Sequence, residues 1–401
     1  MGTRNRHTPA IEGGIPVREE FLSFHRPSID EDDIASVAEA VRSGWLTLGP
    51  RTERFETELK AFLGVRNVVA LSSCSDAMFL ALKALGIGPG DEVITSPLTF
   101  ASTVHAIIHT GATPVLADIE DVTFGVSPME IERRLTPATR AILPVHFGGQ
   151  ACGIGAILDS ARGRGLSVVE DAAHSFGASW NGTPVGAFGD ATAFSFYATK
   201  NITSGEGGCI ATNDDGLAEA VRKLGFHGMS RDAWKRYADR GSWYYEVESP
   251  GFKDNMSDIL ASLGLSQLRK TEHLLARRTH IAERYAEALG GSRFFELPAT
   301  GAGNKHTWHL FVIRLRPEAL RIDRDYFIKA LTEERIGTSV HFIPIHRHPF
   351  FKPMLRGGER FPRCDDFFAR CISLPLYAGM SDLDVNSVVE ALKRIAGYYE
   401  R

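Results

Sequence analysis

The chain of 401 residues is 43% hydrophobic and 23% charged, with a formal net charge of -4. That composition fills the core of one large domain and a smaller one, and it lacks the basic surplus of a nucleic-acid binder. No apolar run approaches the roughly 20 residues that a membrane helix needs. The first ten residues, Met1 to Ala10, are polar and basic. Lacking an apolar stretch and a small-residue cleavage site, they read as a loose tail and not as a signal peptide. Met1-Gly2-Thr3 opens like a myristoylation site, but Arg6 stands where Ser or Thr is wanted. The five cysteines (Cys74, Cys152, Cys209, Cys364, Cys371) form no Cys-x-x-Cys pair. Free thiols in a reducing cytoplasm are expected.

From about Arg66 short apolar strands alternate with longer helical stretches. Strands are expected at Asn67 to Leu71, Glu92 to Thr95, Pro114 to Ala117, Ala141 to Val145, Leu166 to Val169, Ala191 to Phe196 and Cys209 to Thr212. Between them fit helices such as Asp76 to Leu85, a stretch from about Ala101, and Ile154 to Arg162. The alternation predicts an α/β fold with a mostly parallel sheet flanked by helices on both faces. Ligands of such sheets lie beyond the carboxyl ends of the strands. From Asp258 to Gly290 the pattern is long and helical, and a mixed tail follows to Arg401. The expected division is a large domain over residues 1–270 and a smaller α/β domain over residues 271–401.

Four strand ends carry candidate chemistry. The strand Leu166 to Val169 runs into Glu170-Asp171, then Ala172-Ala173-His174. An isolated acid pair there also reads as a solvated turn. Beside small residues, Asp171 suits a partly buried site where it would pair with a cationic ring nitrogen such as that of pyridoxal phosphate (PLP). Phe194-Ser195-Phe196 leads to Lys200 and then to Gly205-Glu206-Gly207-Gly208. Burial would lower the lysine pKa and make its amine a nucleophile for Schiff-base chemistry. Ser72-Ser73-Cys74-Ser75-Asp76 precedes a helix, where hydroxyls and free amides suit a phosphate or simply cap the helix. Phe100, just past another strand, suits stacking on a flat ring or ordinary core packing.

These segments, in this order, resemble the DegT-type family of PLP-dependent sugar aminotransferases, of PLP fold type I. The likeness runs from Gly44-Trp45-Leu46-Thr47-Leu48-Gly49-Pro50 to Leu374-Pro375-Leu376-Tyr377. Its most specific stretches are Glu170 to His174, Phe194-Ser195-Phe196, Thr199-Lys200-Asn201 and Gly205 to Gly208. The resemblance implies that Lys200 forms the Schiff base with PLP and that Asp171 pairs with its pyridine nitrogen. It implies that His174 bonds the ring hydroxyl, that Phe100 stacks on the ring, and that Cys74, Ser75, the Asp76 backbone and Ser195 hold the phosphate. Lys253 falls in a loop, Pro250 to Met256, that in relatives reaches the neighbouring subunit's cofactor, so a homodimer with shared sites is implied. Thr47, Arg231 and His341 are implied substrate contacts. Relatives usually carry Gly-Thr where this chain has Cys74-Ser75, often Asn at Lys253, and often Tyr at Asp254.

The implied activity is amino transfer from L-glutamate to a keto group, leaning to C4, of a nucleotide-linked deoxysugar, with ping-pong kinetics. A keto-cyclitol aminotransferase and a PLP-dependent sugar dehydratase are the enzyme alternatives. In the dehydratases the lysine position commonly holds His, so Lys200 favours amino transfer. A PLP-binding regulator without turnover is the alternative of another class. A dinucleotide-binding protein is disfavoured because no Gly-x-Gly-x-x-Gly follows the first strand. His341, His346 and His348 are broken up by Pro344 and Pro349, and no metal site is expected. No nucleic acid or membrane partner is expected either, and the location is expected to be cytoplasmic.

Overall fold

In the computed structural model, which describes residues 7–229, 244–354 and 358–401, the apolar runs become a seven-stranded sheet. Its strands are β1 (Asn67–Leu71), β2 (Glu92–Thr95), β3 (Thr113–Leu116), β4 (Thr139–Leu143), β5 (Ser167–Asp171), β8 (Ala191–Ser195) and β9 (Gly208–Thr212). A short hairpin, β6 (Ser179–Trp180) and β7 (Thr183–Pro184), intervenes. The order across the sheet is β1-β9-β8-β5-β4-β2-β3. Neighbours run parallel except at β9, which is antiparallel to both β1 and β8.

Both faces of this sheet are buried, and alternate residues of each strand go to opposite cores. Val69, Leu71, Val93, Leu143, Val169, Ala193 and Ile210 pack under α3 (Cys74–Ala84), α4 (Ala101–Thr110) and α7 (Asp215–Leu224). Val68, Ala70, Ile94, Ile142, Val168, Phe194 and Ala211 pack with α2 (Pro50–Leu63), α5 (Pro128–Arg134), α6 (Ile154–Arg162) and α8 (Asp258–Arg269). Helix α1 (Glu31–Arg42) lies against α8.

Several boundaries shift by a residue or two, and two of the differences have a clear cause. Strand β4 stops at Leu143 because Pro144 has no N–H to give the ladder. The Pro144 carbonyl still accepts the Asp171 amide at 2.9 Å. The helical stretch from Asp258 breaks at Lys270 into α8 and α9 (Thr271–Leu289). There the Thr271 hydroxyl donates to the Leu268 carbonyl at 2.7 Å. The Lys270 ammonium meanwhile reaches Asp30 and Asp33 of the α1 N-terminus.

A further core forms around the antiparallel sheet β10-β12-β13 (Phe295–Glu296, Phe311–Leu315, Cys371–Leu374). Helices α9, α10 (Arg324–Glu333) and α12 (Asp382–Tyr398) enclose it through Tyr285, Phe327, Leu392 and Ile395. Strand β11 (Asn304–Lys305) pairs with β6, and α11 (Pro362–Arg370) precedes β13. The N-terminal segment also joins this core: Leu22 is buried in it and bridges to Ile336. Glu334 accepts the amides of Ala10 and Val17 at 2.9 and 2.8 Å. Among the described residues no helix is long and apolar enough to cross a membrane.

Candidate active site

Strand parity decides which side chains face the carboxyl edge of the sheet. In β5, Val169 faces the α3 side, so Asp171 shares that face and Glu170 faces the opposite core. In β8, Ala193 sets the same direction for Ser195, which is 7% exposed. Asp171 is 5% exposed and accepts hydrogen bonds from Thr103 Oγ1 at 2.7 Å and from the Ala173 amide at 3.1 Å. The one hydroxyl proton of Thr103 is thus committed, so the Thr99 hydroxyl, 2.6 Å away, donates to it. Glu170 is fully buried and accepts from His146 Nε2 at 2.7 Å and from the Gly189 amide and Thr192 Oγ1 at 2.8 Å each.

Lys200 lies in the link between β8 and β9. The link is pinned where it leaves and re-enters the sheet: the Phe196 amide donates to Gly207 O, and the Ser204 amide to Phe196 O, each at 2.9 Å. Burial lowers the Lys200 pKa to about 8, against an opposite pull from groups that include Asp171. The adjacent Cys74 thiol is held well above its ordinary value, first by burial and then by the Asp171 carboxylate, so it is protonated. His174 is 7% exposed, and burial, then the nearby Lys200 and His341, keep its pKa well below the histidine range. Its Nδ1 accepts a long 3.4 Å bond from the Gly148 amide. In a neutral ring that leaves the proton on Nε2, free to be donated.

At the end of β1, Ser73 caps α3 by accepting the Asp76 amide at 3.1 Å. The Asp76 carboxylate accepts from Ser72 and Ser73 hydroxyls at 2.7 and 2.6 Å. The Asp76 amide is therefore occupied, while the amides of Cys74 and Ser75 have no acceptor among the described residues. Ser75 is exposed. Gly208 lets β9 run close beneath this turn, since a Cβ there would lie 2.3 Å from the Cys74 nitrogen. Phe100 caps α4 with its ring 62% exposed and 6.0 Å from that of Phe342.

These residues fit PLP. Free amides at a helix start suit its phosphate, the half-satisfied Asp171 its ring nitrogen, His174 its hydroxyl, the bare face of Phe100 its ring, and a lysine of lowered pKa its carbonyl.

Of the remaining candidates, His341 stands at the edge of the cluster. Its ring is 6.4 Å from that of His174, its Nδ1 is 2.8 Å from Ser373 Oγ, and burial lowers its pKa to about 4. His346 and His348 instead meet Asp365 and the Ile343 carbonyl. Thr47 is not brought in: it is exposed, and its carbonyl accepts the Asp258 amide at 3.0 Å. Lys253 is exposed, its ammonium 4.4 Å from the centre of the Phe226 ring and bonded to Asn255. Arg231 lies outside the described residues.

Sequence reasoning missed Thr103, His309 and Arg278. His309 packs its ring 4.4 Å from that of His174. Arg278 had a signal: it sits in the apolar stripe Leu274, Ile281, Tyr285 of α9, at helical spacing. Thr103 had none beyond its position one turn after Thr99.

Residues 27–393 match the model of the DegT/DnrJ/EryC1/StrS aminotransferase family. The chain belongs to this family. SpsC of Bacillus subtilis (strain 168), a spore coat polysaccharide biosynthesis protein, is 50% identical to the aminotransferase over 383 residues, which are 95% of this chain and 98% of that protein. Spr1654 of Streptococcus pneumoniae, a proposed sugar aminotransferase solved in its PMP form, superposes with a TM-score of 0.88 at 32% identity, covering 94% of this chain and 99% of that one. Its PLP form superposes at 0.87 and 31%. PseC of Helicobacter pylori, an aminotransferase of pseudoaminic acid biosynthesis, gives 0.86 at 27%, covering 95% of this chain and all of that one. The aminotransferase has the α/β architecture of PLP fold type I, and its cofactor is PLP.

Proposed function

We propose that this PLP-dependent enzyme is a sugar aminotransferase, moving an amino group from L-glutamate to a keto group, at C4, of a nucleotide-linked deoxysugar. The observation that carries the reading is the meeting of Lys200, Asp171 and His174 beside the unpaired amides at the start of α3. The sugar is supported by likeness to SpsC and Spr1654. Lys200, where dehydratases of the family resemblance carry His, supports amino transfer.

Bound PLP would supply a carbonyl that carries the amino group and an electron-withdrawing ring. Asp171 would hold a proton on the ring nitrogen by its charge, and the Thr99–Thr103 relay would keep its carboxylate turned to that task. His174 would donate from Nε2 to the ring hydroxyl. Ser75, Ser195 and the amides of Cys74 and Ser75 would grip the phosphate. Lys200, whose lowered pKa brings the neutral amine within reach, would anchor the cofactor and, once displaced by the amino donor, move a proton at the donor's α carbon. His341 would line the sugar-nucleotide side, and Arg231 is a further substrate contact implied by the resemblance. In a homodimer Lys253 would serve the neighbouring subunit's phosphate; its exposure and its seat on Phe226 support a surface role of that kind. The chain would divide near residue 270, between α8 and α9, with the N-terminal segment carried on the C-terminal core. We place the enzyme in the cytoplasm.

The test begins with Lys200→Ala, which should lose amino transfer; full transfer by that variant would sink the reading. Borohydride should fix PLP on Lys200, and L-glutamate alone should bleach the cofactor band. A panel of C3- and C4-keto sugar nucleotides and keto cyclitols, with products identified by NMR, then decides the substrate. Turnover of the cyclitols alone would replace the sugar assignment.

A further inference from the structure

Among the described residues, eight buried side-chain nitrogen or oxygen atoms lack a hydrogen-bond partner. Three of them, His25 Nε2, Asn201 Oδ1 and Arg278 Nε, belong to residues that line one small cavity together with Lys200. Orphaned polar atoms in a protein interior are few, and a cluster of them implies a missing partner. Arg278 is 2% exposed and Asn201 5%. Arg278 donates only to the carbonyls of Trp308 and Leu376, at 3.3 and 3.0 Å, with no carboxylate among its acceptors.

The donor and acceptor types select the occupant. The Ala198 carbonyl beside His25 draws the ring proton to Nδ1, away from the orphaned Nε2, and burial lowers the pKa to about 4. The ring is neutral, so Nε2 is an acceptor. Asn201 uses its amide nitrogen on the Phe176 carbonyl at 3.2 Å, which fixes Oδ1 as an acceptor too. Arg278 Nε can only donate, and the Lys200 amine supplies a second donor. An anion would satisfy the two donors and face two lone pairs. A water satisfies all four, giving two protons and taking two. The cavity leaves about 10 Å³ for a water's centre, which is room enough for one molecule.

We infer that one ordered water occupies this cavity and bonds Lys200, Arg278, His25 and Asn201, making the last three positioning residues for the Lys200 amine. The water gives its protons to His25 and Asn201, takes one bond from Arg278, and keeps a lone pair for Lys200. It thereby holds the amine within reach of the site whenever the cofactor releases it. The inference rests on the reading of Lys200 as the reacting amine.

The test is a high-resolution crystal structure of the holoenzyme, joined to single-turnover kinetics. With the cofactor in its pyridoxamine form, where the Lys200 amine is free, one water within hydrogen-bonding distance of all four groups is expected. A cavity without density, or one filled by a chloride, overturns the inference. In Asn201→Leu the water should be gone and the rate of cofactor bleaching by L-glutamate should fall about three- to tenfold, with the glutamate concentration at half-saturation unchanged. An unchanged rate, or a loss explained by weaker glutamate binding alone, overturns the positioning role. His25→Phe carries the same test if Asn201→Leu does not fold. Borohydride mapping separates the two readings. Cofactor fixed on another lysine overturns the Lys200 reading and the positioning role together. Cofactor on Lys200 with no water overturns this inference alone.

Discussion

On one face of β5 the carboxylate of Glu170 is sealed in the core, taking hydrogen bonds from His146, Gly189 and Thr192. On the other face the carboxylate of Asp171, the next residue, takes only two, from Thr103 and Ala173. A carboxylate has about four acceptor positions. The fold uses most of them on Glu170 and leaves half on Asp171 for something else. The same functional group thus becomes a structural brace or keeps acceptor positions open according to one step of strand parity.

Removing the brace should have the largest effect. Glu170→Ala strands three buried donors and should lower unfolding free energy by about 3–5 kcal/mol, read by chemical denaturation. A stable but inactive variant would break the comparison. Asp171→Asn should do the reverse, cutting single-turnover bleaching by L-glutamate by about a hundredfold or more while the melting temperature moves little. A third effect belongs to the Asp171 face. Capture of PLP by cofactor-free protein needs the neutral Lys200 amine, so its rate should rise about tenfold per pH unit and level off near the lowered pKa, about 8. A rise continuing toward 10.5 would show that burial does not set the amine's state. The smallest change is expected for Phe100→Leu. Losing an aromatic contact of about 0.5–1.5 kcal/mol should weaken PLP binding roughly two- to tenfold, measured by equilibrium dialysis.

Much of this site was legible because strand parity is local. Val169 and Asp171 stand two apart in Ser167-Val168-Val169-Glu170-Asp171, and the strand's apolar pattern marks its bounds. Lys200 was legible because a charged residue follows a largely apolar strand and precedes a run of glycines. What stayed hidden depends on partners far away in the chain. The break at Lys270 answers to Asp30 and Asp33, and the relay to Asp171 needs α4 laid against β5. The use of the Asp76 amide by Ser73 was a local matter that resemblance passed over: serines at a helix start suit a cap or a phosphate alike, and residue type alone does not divide them.

The N-terminal segment has a mechanical consequence. Leu22 is locked into the C-terminal core and bridged to Ile336, while His25, three residues on, lies beside Ala198, two residues before Lys200. The segment is a short tether between the C-terminal core and the turn before Lys200. Any rotation of the C-terminal core against the sheet pulls on a stretch of chain only about 10 Å long when extended, and the pull arrives at the turn that carries the lysine. A rotation of that kind would thus be felt at Lys200 through the backbone alone.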